Sequence, residues 1–372
     1  MSDKALFIAA TGQNVGKTTL CLGILAALKK RYNSVGFIKP VGQRHEIVNG
    51  TSVDKDVILF KEHFELSSSW QSMSPVIIPN GFTRKYLNGE VSEKSLLNAI
   101  KASYKEISAQ HSYTLVEGTG HVGVGSIVDM NNARVAAELG LDMVIIAPGG
   151  LGSTHDELAM NIALCHQYGV KIRGIILNRV IQDKYQMIKE YFPKSLEKWG
   201  IPLVGCVPYC PLLSQPTIKD FENLFKTELI CGDEHRIRHF THARLVAGSV
   251  ETYRDDMVPN ELIITPASRE DIIDMTMKKH HESLEAGHDY GGGMILTGRR
   301  APSEELLEKI RTVNMPILYA PMTSYDAMKK ITSFIAKIRI EDKQKIQEAI
   351  ELVEKHVNFE EFLAPLSSVD MT

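Results

Sequence analysis

Short apolar runs alternate with longer amphipathic stretches along most of the chain. In the first half, the runs that predict strands are Ala5–Ala10, Val35–Lys39, Thr114–Glu117, Met143–Ala147, Arg173–Leu177 and Leu203–Val207. The stretches that predict helices are Thr18–Lys30, Ser92–Gln110, Asn131–Leu139, Asp156–Tyr168 and Lys184–Trp199. Strands that alternate with helices of this length favour crossover connections and parallel pairing. The pattern therefore predicts an α/β fold, with a mainly parallel sheet that helices cover on both faces.

The alternation stops after Val207 and starts again in the last third of the chain. Three prolines within nine residues, Pro208, Pro211 and Pro216, indicate a connection rather than an element. Beyond them the pattern predicts strands at Leu262–Thr265, Met294–Thr297 and Ile317–Ala320, and helices at Thr217–Lys226, Ser268–Glu285, Ser303–Val313, Tyr325–Ala336 and Glu341–Phe362. We therefore expect one domain over residues 1–210, a smaller α/β domain over residues 211–337, and a C-terminal helical tail over residues 338–372.

Composition and charge narrow the class of protein. Hydrophobic residues make up 44% of the 372 residues, which is enough for ordinary buried cores. Lys and Arg number 42 against 45 Asp and Glu, so the net charge of −3 gives no electrostatic case for binding nucleic acid or a membrane surface. No apolar run approaches the roughly 18–20 residues that span a bilayer. The five cysteines lack metal-ligand spacing, and we expect a reduced, cytoplasmic protein.

The strongest chemical signal lies between the first predicted strand and the first predicted helix. A Gly-rich turn that ends in Gly-Lys-Thr at the start of a helix is the context of a phosphate-binding loop. Backbone N–H groups at the start of such a helix bind anions, and glycines permit a close approach. The predicted nucleotide-binding residues of this loop are Gly12, Gln13, Asn14, Val15, Gly16, Lys17, Thr18 and Thr19.

Within this loop, two side chains carry predicted roles. Lys17 would bridge the β- and γ-phosphates, and the hydroxyl of Thr18 would bind Mg²⁺. The usual first glycine is replaced by Thr11, and Gly12 comes one residue later. An ordinary Gly-rich turn between a strand and a helix is the alternative.

Charged residues also follow two other predicted strands. Lys39 ends the second strand, and Glu117 ends the third, where it begins the loop Glu117–His121. Because open parallel sheets bind ligands at the carboxyl ends of their strands, we expect both side chains near the phosphate loop. Asp54 and Asp56 open a helix between them and offer further carboxylates for Mg²⁺. The alternatives are solvated strand ends for Lys39 and Glu117, and helix caps for the two aspartates.

Several motifs in the first half resemble, in the same order, those of dethiobiotin synthetase and its relatives, which include the N-terminal domain of long phosphate acetyltransferases. The matching segments, over roughly residues 4–210, are TGQNVGKTT, KPVGQ, VDKDVIL, VEGTG, ILNRV and GCVPY. The segments SPVIIPNGFTRKYL and EGTGHVGVGSIVDMNNARVA look closer to the phosphate acetyltransferase branch. The resemblance implies a P-loop NTPase-type fold with ATP and Mg²⁺ as cofactors.

The resemblance also implies roles for individual residues. Lys17 and Lys39 would act on the phosphates as the catalytic cations, while Thr18, Asp56 and Glu117 would surround Mg²⁺. Asn178 matches the adenine-reading asparagine of the family, and Pro208 belongs to the backbone that frames the base. A simple turn residue remains the alternative for Asn178. The resemblance suggests a homodimer.

The second half resembles a DRTGG domain, which follows the same P-loop domain in long phosphate acetyltransferases. The matching segments are RLVAGSV, ITPASREDII, MILTGRRAPSEELL and MPILYAPMTSYDAMKKI. Ser268 replaces the family's Asp before Arg269, and Arg299 replaces the Gly after Gly298. No acetyltransferase-like segment is recognised in the sequence, so we expect that the chain is not itself a phosphate acetyltransferase.

Two functions follow as expectations. The first is a regulatory or slow ATPase that couples its nucleotide state to a metabolic partner through the DRTGG-like domain. The alternative is an ATP-dependent ligase that activates a carboxylate or carbamate, with a small anionic substrate near Glu117–His121. A purely structural homo-oligomer is a third, weaker possibility. Neither nucleic acid nor a membrane is expected as a partner.

Overall fold

Strands and helices in the described part of the chain, residues 4–363 of a computed structural model, fall into two α/β units. The first unit runs to Cys210 and resumes at Ile338, and the second is Pro211–Lys337. None of the described helices is both long and apolar enough to cross a membrane.

From residue 4 to Cys210, the described part of the first unit forms ten strands and eight α-helices. The strands are β1 (Ala5–Ala10), β2 (Val35–Ile38), β3 (Val41–Gly42), β4 (His45–Val48), β5 (Thr51–Asp54), β6 (Val76–Ile77), β7 (Tyr113–Glu117), β8 (Met143–Pro148), β9 (Ile172–Val180) and β10 (Leu203–Pro208). The helices are α1 (Lys17–Arg31), α2 (Lys55–Phe64), α3 (Trp70–Met73), α4 (Phe82–Leu87), α5 (Glu93–Gln110), α6 (Asn132–Leu139), α7 (Gly152–Gln167) and α8 (Tyr185–Leu196).

The main sheet of the first unit has six parallel strands in the order β10-β9-β8-β1-β7-β2. Every residue of β1 is buried, because helices cover both faces of such a sheet and leave no solvated side. The central position of β1, between β7 and β8, places the end of this strand beside the end of β7. The predicted parallel α/β fold is confirmed.

The second unit is a smaller α/β sheet. Its strands are β11 (Leu229–Cys231), β12 (His242–Leu245), β13 (Glu261–Pro266), β14 (Gly293–Thr297) and β15 (Ile317–Ala320), and its helices are α9 (Pro211–Ser214), α10 (Ile218–Phe225), α11 (Val250–Asp255), α12 (Glu270–Glu285), α13 (Glu304–Arg311) and α14 (Ser324–Thr332). The strand order is β11-β15-β14-β13-β12, and only the pairing of β11 with β15 is antiparallel within it. Successive residues of β13, Leu262 and Ile263, belong to two different apolar clusters. Since neighbouring side chains in a strand point to opposite faces, this sheet is covered on both sides.

The C-terminal segment belongs to the first unit. It forms α15 (Lys343–His356) and α16 (Phe359–Leu363), so the single predicted helix Glu341–Phe362 is two helices. Helix α15 packs on α1, where a Cβ at Gly23 would lie 2.3 Å from Cβ of Val353. Val357 then pairs with Gly205, and the N–H of Asn358 donates to the carbonyl of Val204 at 2.8 Å. The segment thereby covers the outer edge of β10, which would otherwise expose unpaired backbone groups.

Substitution of Gly23 tests this packing. Gly23→Ala should raise intrinsic helix propensity, yet we expect it to destabilise the protein by about 1–3 kcal/mol because the new methyl group overlaps Val353. Urea unfolding monitored by circular dichroism measures the change. Gly152→Ala is the matched control, since Gly152 begins α7 with open space around it. A stabilised Gly23→Ala protein would contradict the close contact between α1 and α15.

Candidate functional site

The loop between β1 and α1 has the geometry of an anion-binding turn. Gly16 is the N-cap of α1 with a φ of 102°, and Asn14 has a φ of 58°, so both residues lie in the left-handed region. No side chain caps the helix, and its first turn contains no acidic residue. The N–H groups at the start of α1 therefore remain available for an anion, which the helix dipole also favours.

Asn178, in strand β9, holds this loop in place. Its side chain is buried, and its Nδ2 donates a hydrogen bond to the carbonyl of Val15 at 2.7 Å. A Cβ at Gly16 would lie only 2.2 Å from that Nδ2, so glycine is required there by space as well as by φ. Gly12 differs, because its φ is not positive and a Cβ would meet only the tip of Val15, at 3.3 Å. The Gly-rich pattern predicts the same role for both glycines, and the structure shows that their roles differ.

Lys39 lies at the end of β2 and is 6% exposed. Its Nζ is 2.9 Å from Oδ1 of Asp54, contacts Oδ2 of Asp56, and is 3.8 Å from Oε1 of Glu117. Burial opposes the charge, but the carboxylates of Asp56, Glu117 and Asp54 outweigh it and raise the pKa of Lys39 above its usual range. Lys39 is therefore a permanently charged ammonium that draws three carboxylates together, rather than a solvated strand end.

The two aspartates around Lys39 are not equivalent. Asp54 is the N-cap of α2, where its carboxylate accepts from the N–H of Asp56 at 3.0 Å and from that of Gln43 at 3.1 Å. Because these bonds and Lys39 occupy its oxygens, Asp54 orients the local backbone. Asp56 is less buried than Asp54, which leaves it the more accessible carboxylate. This geometry is consistent with the expectation that Asp56 rather than Asp54 faces a metal ion.

Glu117 ends β7 and is buried with only part of its carboxylate satisfied. Its Oε1 accepts from the hydroxyl of Thr18 at 3.3 Å, whereas its Oε2 has no hydrogen-bond partner among the described atoms. Burial raises the pKa of Glu117 to about 7, although Lys39 and Lys17 oppose the shift. An unpartnered buried carboxylate oxygen beside a hydroxyl suits a hard cation such as Mg²⁺.

A resident metal held by protein side chains alone does not fit this site. Among residues 4–363, no group of three or more His, Cys, Asp or Glu side chains is arranged to hold one. Mg²⁺ commonly keeps several water ligands and binds through one or two carboxylates together with substrate phosphates. The residues present fit that second mode, in which Thr18, Glu117 and Asp56 would contribute.

Lys17 connects the phosphate loop with the loop after β7. Its Nζ donates to the carbonyl of Gly120 at 2.5 Å. Burial lowers the pKa of Lys17, and the nearby Glu117 partly offsets this effect. The ammonium therefore lies between the start of α1 and the Glu117–His121 loop. In that loop His121 is exposed, and its Nδ1 accepts from the N–H of Gly123 at 3.1 Å.

Asn132 is a site residue that the sequence reasoning missed. It is 4% exposed, and its Nδ2 donates to the carbonyls of Thr119 at 2.8 Å and of His121 at 2.7 Å. Its Oδ1 accepts from the N–H of Thr119 at 3.1 Å. The buried amide of Asn132 thus fixes the backbone of the loop in which the carbonyl of Gly120 accepts from Lys17. Asn132 lies within the segment EGTGHVGVGSIVDMNNARVA, but nothing in the local pattern distinguishes it from a helix-capping asparagine.

The structure places most of the remaining predicted residues near these groups. Thr19 follows Thr18 in the first turn of α1, and Gln13 is exposed in the loop. Pro208 ends β10 and pairs in register with Val180, two residues after Asn178. The N–H of Tyr209 donates to the carbonyl of Val180 at 2.9 Å, so the backbone after Pro208 runs beside β9. A base-reading role for Asn178 and Pro208 stays a prediction.

The fold and this site define the first unit as a P-loop NTPase-type domain. The chain belongs to the family described as "AAA domain", whose model matches residues 4–217 and which includes dethiobiotin synthetase-like P-loop proteins. Residues 222–334 match the DRTGG domain. The resemblance inferred from the motifs is therefore confirmed for both halves of the chain.

Curated proteins match most or about half of this chain. The phosphate acetyltransferase of Nitratidesulfovibrio vulgaris is 25% identical over 370 residues, which cover 96% of this chain and 51% of that protein. The chain thus spans about half the length of the phosphate acetyltransferases it matches. The ATP-dependent dethiobiotin synthetase of Nitrosopumilus maritimus is 26% identical over 221 residues, 59% of this chain and 92% of that protein. The solved MinD cell division protein of Aquifex aeolicus is 18% identical with a TM-score of 0.36, over 56% of this chain and 84% of that one.

The difference between the two loop glycines can be tested. We expect Gly16→Ala to lower the free energy of unfolding by about 1 kcal/mol or more, because alanine disfavours the positive φ and overlaps Asn178. Gly12→Ala should stay within about 0.5 kcal/mol of wild type, since neither condition applies at that residue. Urea unfolding of both variants measures this. Equal losses would show that the conformation of Gly16 is not the determining feature.

Proposed function

We propose that this protein binds Mg²⁺-ATP at the phosphate loop and acts as a slow or regulatory ATPase, which signals its nucleotide state to a metabolic partner through the DRTGG domain. One observation carries the proposal: Lys17, Thr18, Lys39, Asp56 and Glu117, which come from four separate segments, converge at the ends of β1, β2 and β7. This set provides cations for phosphates and oxygen ligands for Mg²⁺ at one place.

Each residue in the set has a separate task in this proposal. Lys17 would exchange the carbonyl of Gly120 for phosphate oxygens, to which its ammonium is the stronger match. The N–H groups at the start of α1 would hold the β-phosphate. Lys39 would add a second positive charge near the phosphates while it holds Asp54 and Asp56 in place. When bound, Mg²⁺ would neutralise charge that develops on the phosphates.

The base and the oligomeric state extend the proposal. Asn178 would read adenine through the part of its amide that does not bind Val15, and the backbone after Pro208 would frame the ring. Such an arrangement would transmit the presence of the base directly to the phosphate loop. A homodimer is proposed as the assembly.

ATP-dependent ligation is the second candidate function. The dethiobiotin synthetase of Nitrosopumilus maritimus matches the first unit over 92% of its own length, which favours shared chemistry. In such chemistry a carboxylate or carbamate attacks the γ-phosphate of ATP, a mixed anhydride forms, and ADP leaves. The Glu117–His121 loop, which Asn132 holds beside Lys17, would receive the small anionic substrate.

Turnover of Mg²⁺-ATP decides between these functions. We expect slow release of ADP that bicarbonate, diamines and carboxylates do not stimulate. A many-fold stimulation by one of these classes of compound would instead establish the ligase.

Lys17→Ala should weaken ATP binding by at least about tenfold, because it removes the cation on the β- and γ-phosphates. Lys55→Ala is the matched control, since Lys55 precedes Asp56 but pairs with Glu46 on the surface. Unchanged ATP affinity in Lys17→Ala would mean that the site is elsewhere.

The pKa of Glu117 predicts how Mg²⁺ binding responds to pH. A protonated Glu117 cannot bind Mg²⁺, so below about pH 7 the affinity for Mg²⁺ should fall by up to about tenfold per pH unit. Titration of the ATP-bound protein with Mg²⁺ between pH 6 and 8 measures this dependence. In Glu117→Gln the affinity should be weaker, and it should fall less steeply below pH 7 than in the wild type, because only the terminal phosphate of ATP still takes up a proton there. A wild-type profile no steeper than that of Glu117→Gln would exclude Glu117 as a ligand.

A further inference from the structure

A cavity in the first unit lies at the outer edge of the main sheet. It has a volume of about 460 Å³ and opens between α8, the edge strand β10 and the end of α15. Its lining includes Tyr185, Lys189, Cys206, Lys355 and His356, and none of the lining residues belongs to the phosphate site. We call it the β10-edge cavity. Its volume falls within the range of about 300–1,000 Å³ that is usual for small-molecule sites.

The charged groups of this cavity are all basic. Lys189 on α8 and Lys355 on α15 line it together with His356, whereas no Asp or Glu does. Neither lysine forms an ion pair within residues 4–363, although Lys194 on the same helix as Lys189 pairs with Glu190, and Lys30 pairs with Glu354. Cations that gather at a concave surface without a carboxylate repel one another, and an anion between them would relieve that repulsion.

A hydrogen bond at the cavity determines which nitrogen of His356 is protonated. The hydroxyl of Tyr185 donates to the carbonyl of Cys206 at 2.9 Å, and it also lies 3.1 Å from Nδ1 of His356. A tyrosine hydroxyl has a single proton, and here that proton is donated to the carbonyl of Cys206, which has no proton to donate in return. The second bond therefore requires that Nδ1–H of His356 donates to Tyr185. In neutral His356 the other ring nitrogen, Nε2, is then unprotonated and becomes a second donor when it takes up a proton.

We propose that the β10-edge cavity binds a small metabolite with a carboxylate or phosphate group, which Lys189, Lys355 and protonated Nε2 of His356 hold together. The two lysines come from different helices, so the anion would bridge α8 and the end of α15. Tyr185 orients the imidazole and is a positioning residue for this site. The site is separate from the phosphate loop, and the proposal does not depend on the function proposed above.

Binding of an anion should take up a proton at His356. The groups that face this ring are Tyr185 and Lys189 from α8, Cys206 from β10, and Lys355 from its own helix. Burial, Lys355 and Lys189 lower the pKa of His356 below its ordinary value of 6.5. A bound anion acts in the opposite direction and raises this pKa. Affinity should therefore be higher at a pH below the ordinary histidine pKa of 6.5 than at a pH above it.

Thermal unfolding of the full chain at constant ionic strength tests the site. Sulfate and malonate serve as the phosphate-like and carboxylate probes, and chloride serves as the reference salt. All proteins carry Lys17→Ala, which weakens binding of anions at the phosphate loop. The probing variant adds Lys189→Met and Lys355→Met, which keep the aliphatic stems and remove both charges. Lys194→Met is the matched control, because it removes one charge from α8 outside the cavity.

We expect at least one probe to raise the Tm in a saturable manner in the Lys17→Ala protein and in the Lys194→Met control. The double-lysine variant should bind that probe at least about tenfold more weakly. Whichever of sulfate and malonate binds more tightly identifies the preferred anionic group. Equal shifts in all three proteins would overturn the proposal, because they would be a general effect of salt. The proposal would also be overturned if neither sulfate nor malonate gave a saturable increase in Tm.

The pH dependence isolates His356. Sulfate keeps its charge between pH 5.5 and 8, so a change in its affinity over this range arises from the protein. We expect sulfate to bind several-fold more tightly at pH 5.5 than at pH 7.5. His356→Asn preserves a donor near Tyr185 but lacks Nε2, and its sulfate affinity should vary much less with pH. An equally steep profile in His356→Asn would remove His356 from the site.

Discussion

The ammonium of Lys39 is the interaction on which the phosphate site depends. It brings together Asp54 from β5, Asp56 from α2 and Glu117 from β7, all within 4 Å of one buried nitrogen. One ammonium against three ionised carboxylates leaves two negative charges in a buried place, which is costly without a further cation. The protein meets this cost in two ways: Lys17 approaches from α1, and the pKa of Glu117 rises to about 7. A site with this imbalance is prepared to accept Mg²⁺ once Glu117 loses its proton.

The phosphate loop depends on a second buried polar contact. The amide of Asn178 holds the carbonyl of Val15 while Gly16 adopts a positive φ beside it, so β9 restrains a loop that belongs to β1 and α1. On the other side, Asn132 restrains the loop whose Gly120 carbonyl accepts from Lys17. Two asparagines thus keep the backbone in place before any ligand arrives, which limits the entropy that binding costs. Asn178 is also the residue that we propose reads the base, and this role would connect base recognition with phosphate recognition.

The sequence could predict features that depend on residues close together in the chain, but not contacts between residues far apart in the chain. The strands of the main sheet and the turn at Gly16 follow local patterns, and both were predicted. The contact between Lys39 and Asp54 was not predicted, because only the folded sheet brings these two residues together. The hydrogen bonds of Asn132 were not predicted for the same reason, since its partners lie 11 and 13 residues earlier in the chain. The hairpin of β4 and β5 and the strands β11 and β12 were missed, since they have three or four residues each and no clear alternation of buried and exposed positions.

The C-terminal segment shows why periodicity alone is a weak guide to organisation. Its helical spacing is evident in the sequence, yet its place in the first unit follows from Gly23, whose missing side chain admits Val353, and from the pairing of Val357 with Gly205. The chain leaves the first unit directly after β10 and returns to it before α15. Both covalent connections to the second unit therefore adjoin elements that line the β10-edge cavity. An anion that bridges α8 and the end of α15 would stabilise the C-terminal segment against β10.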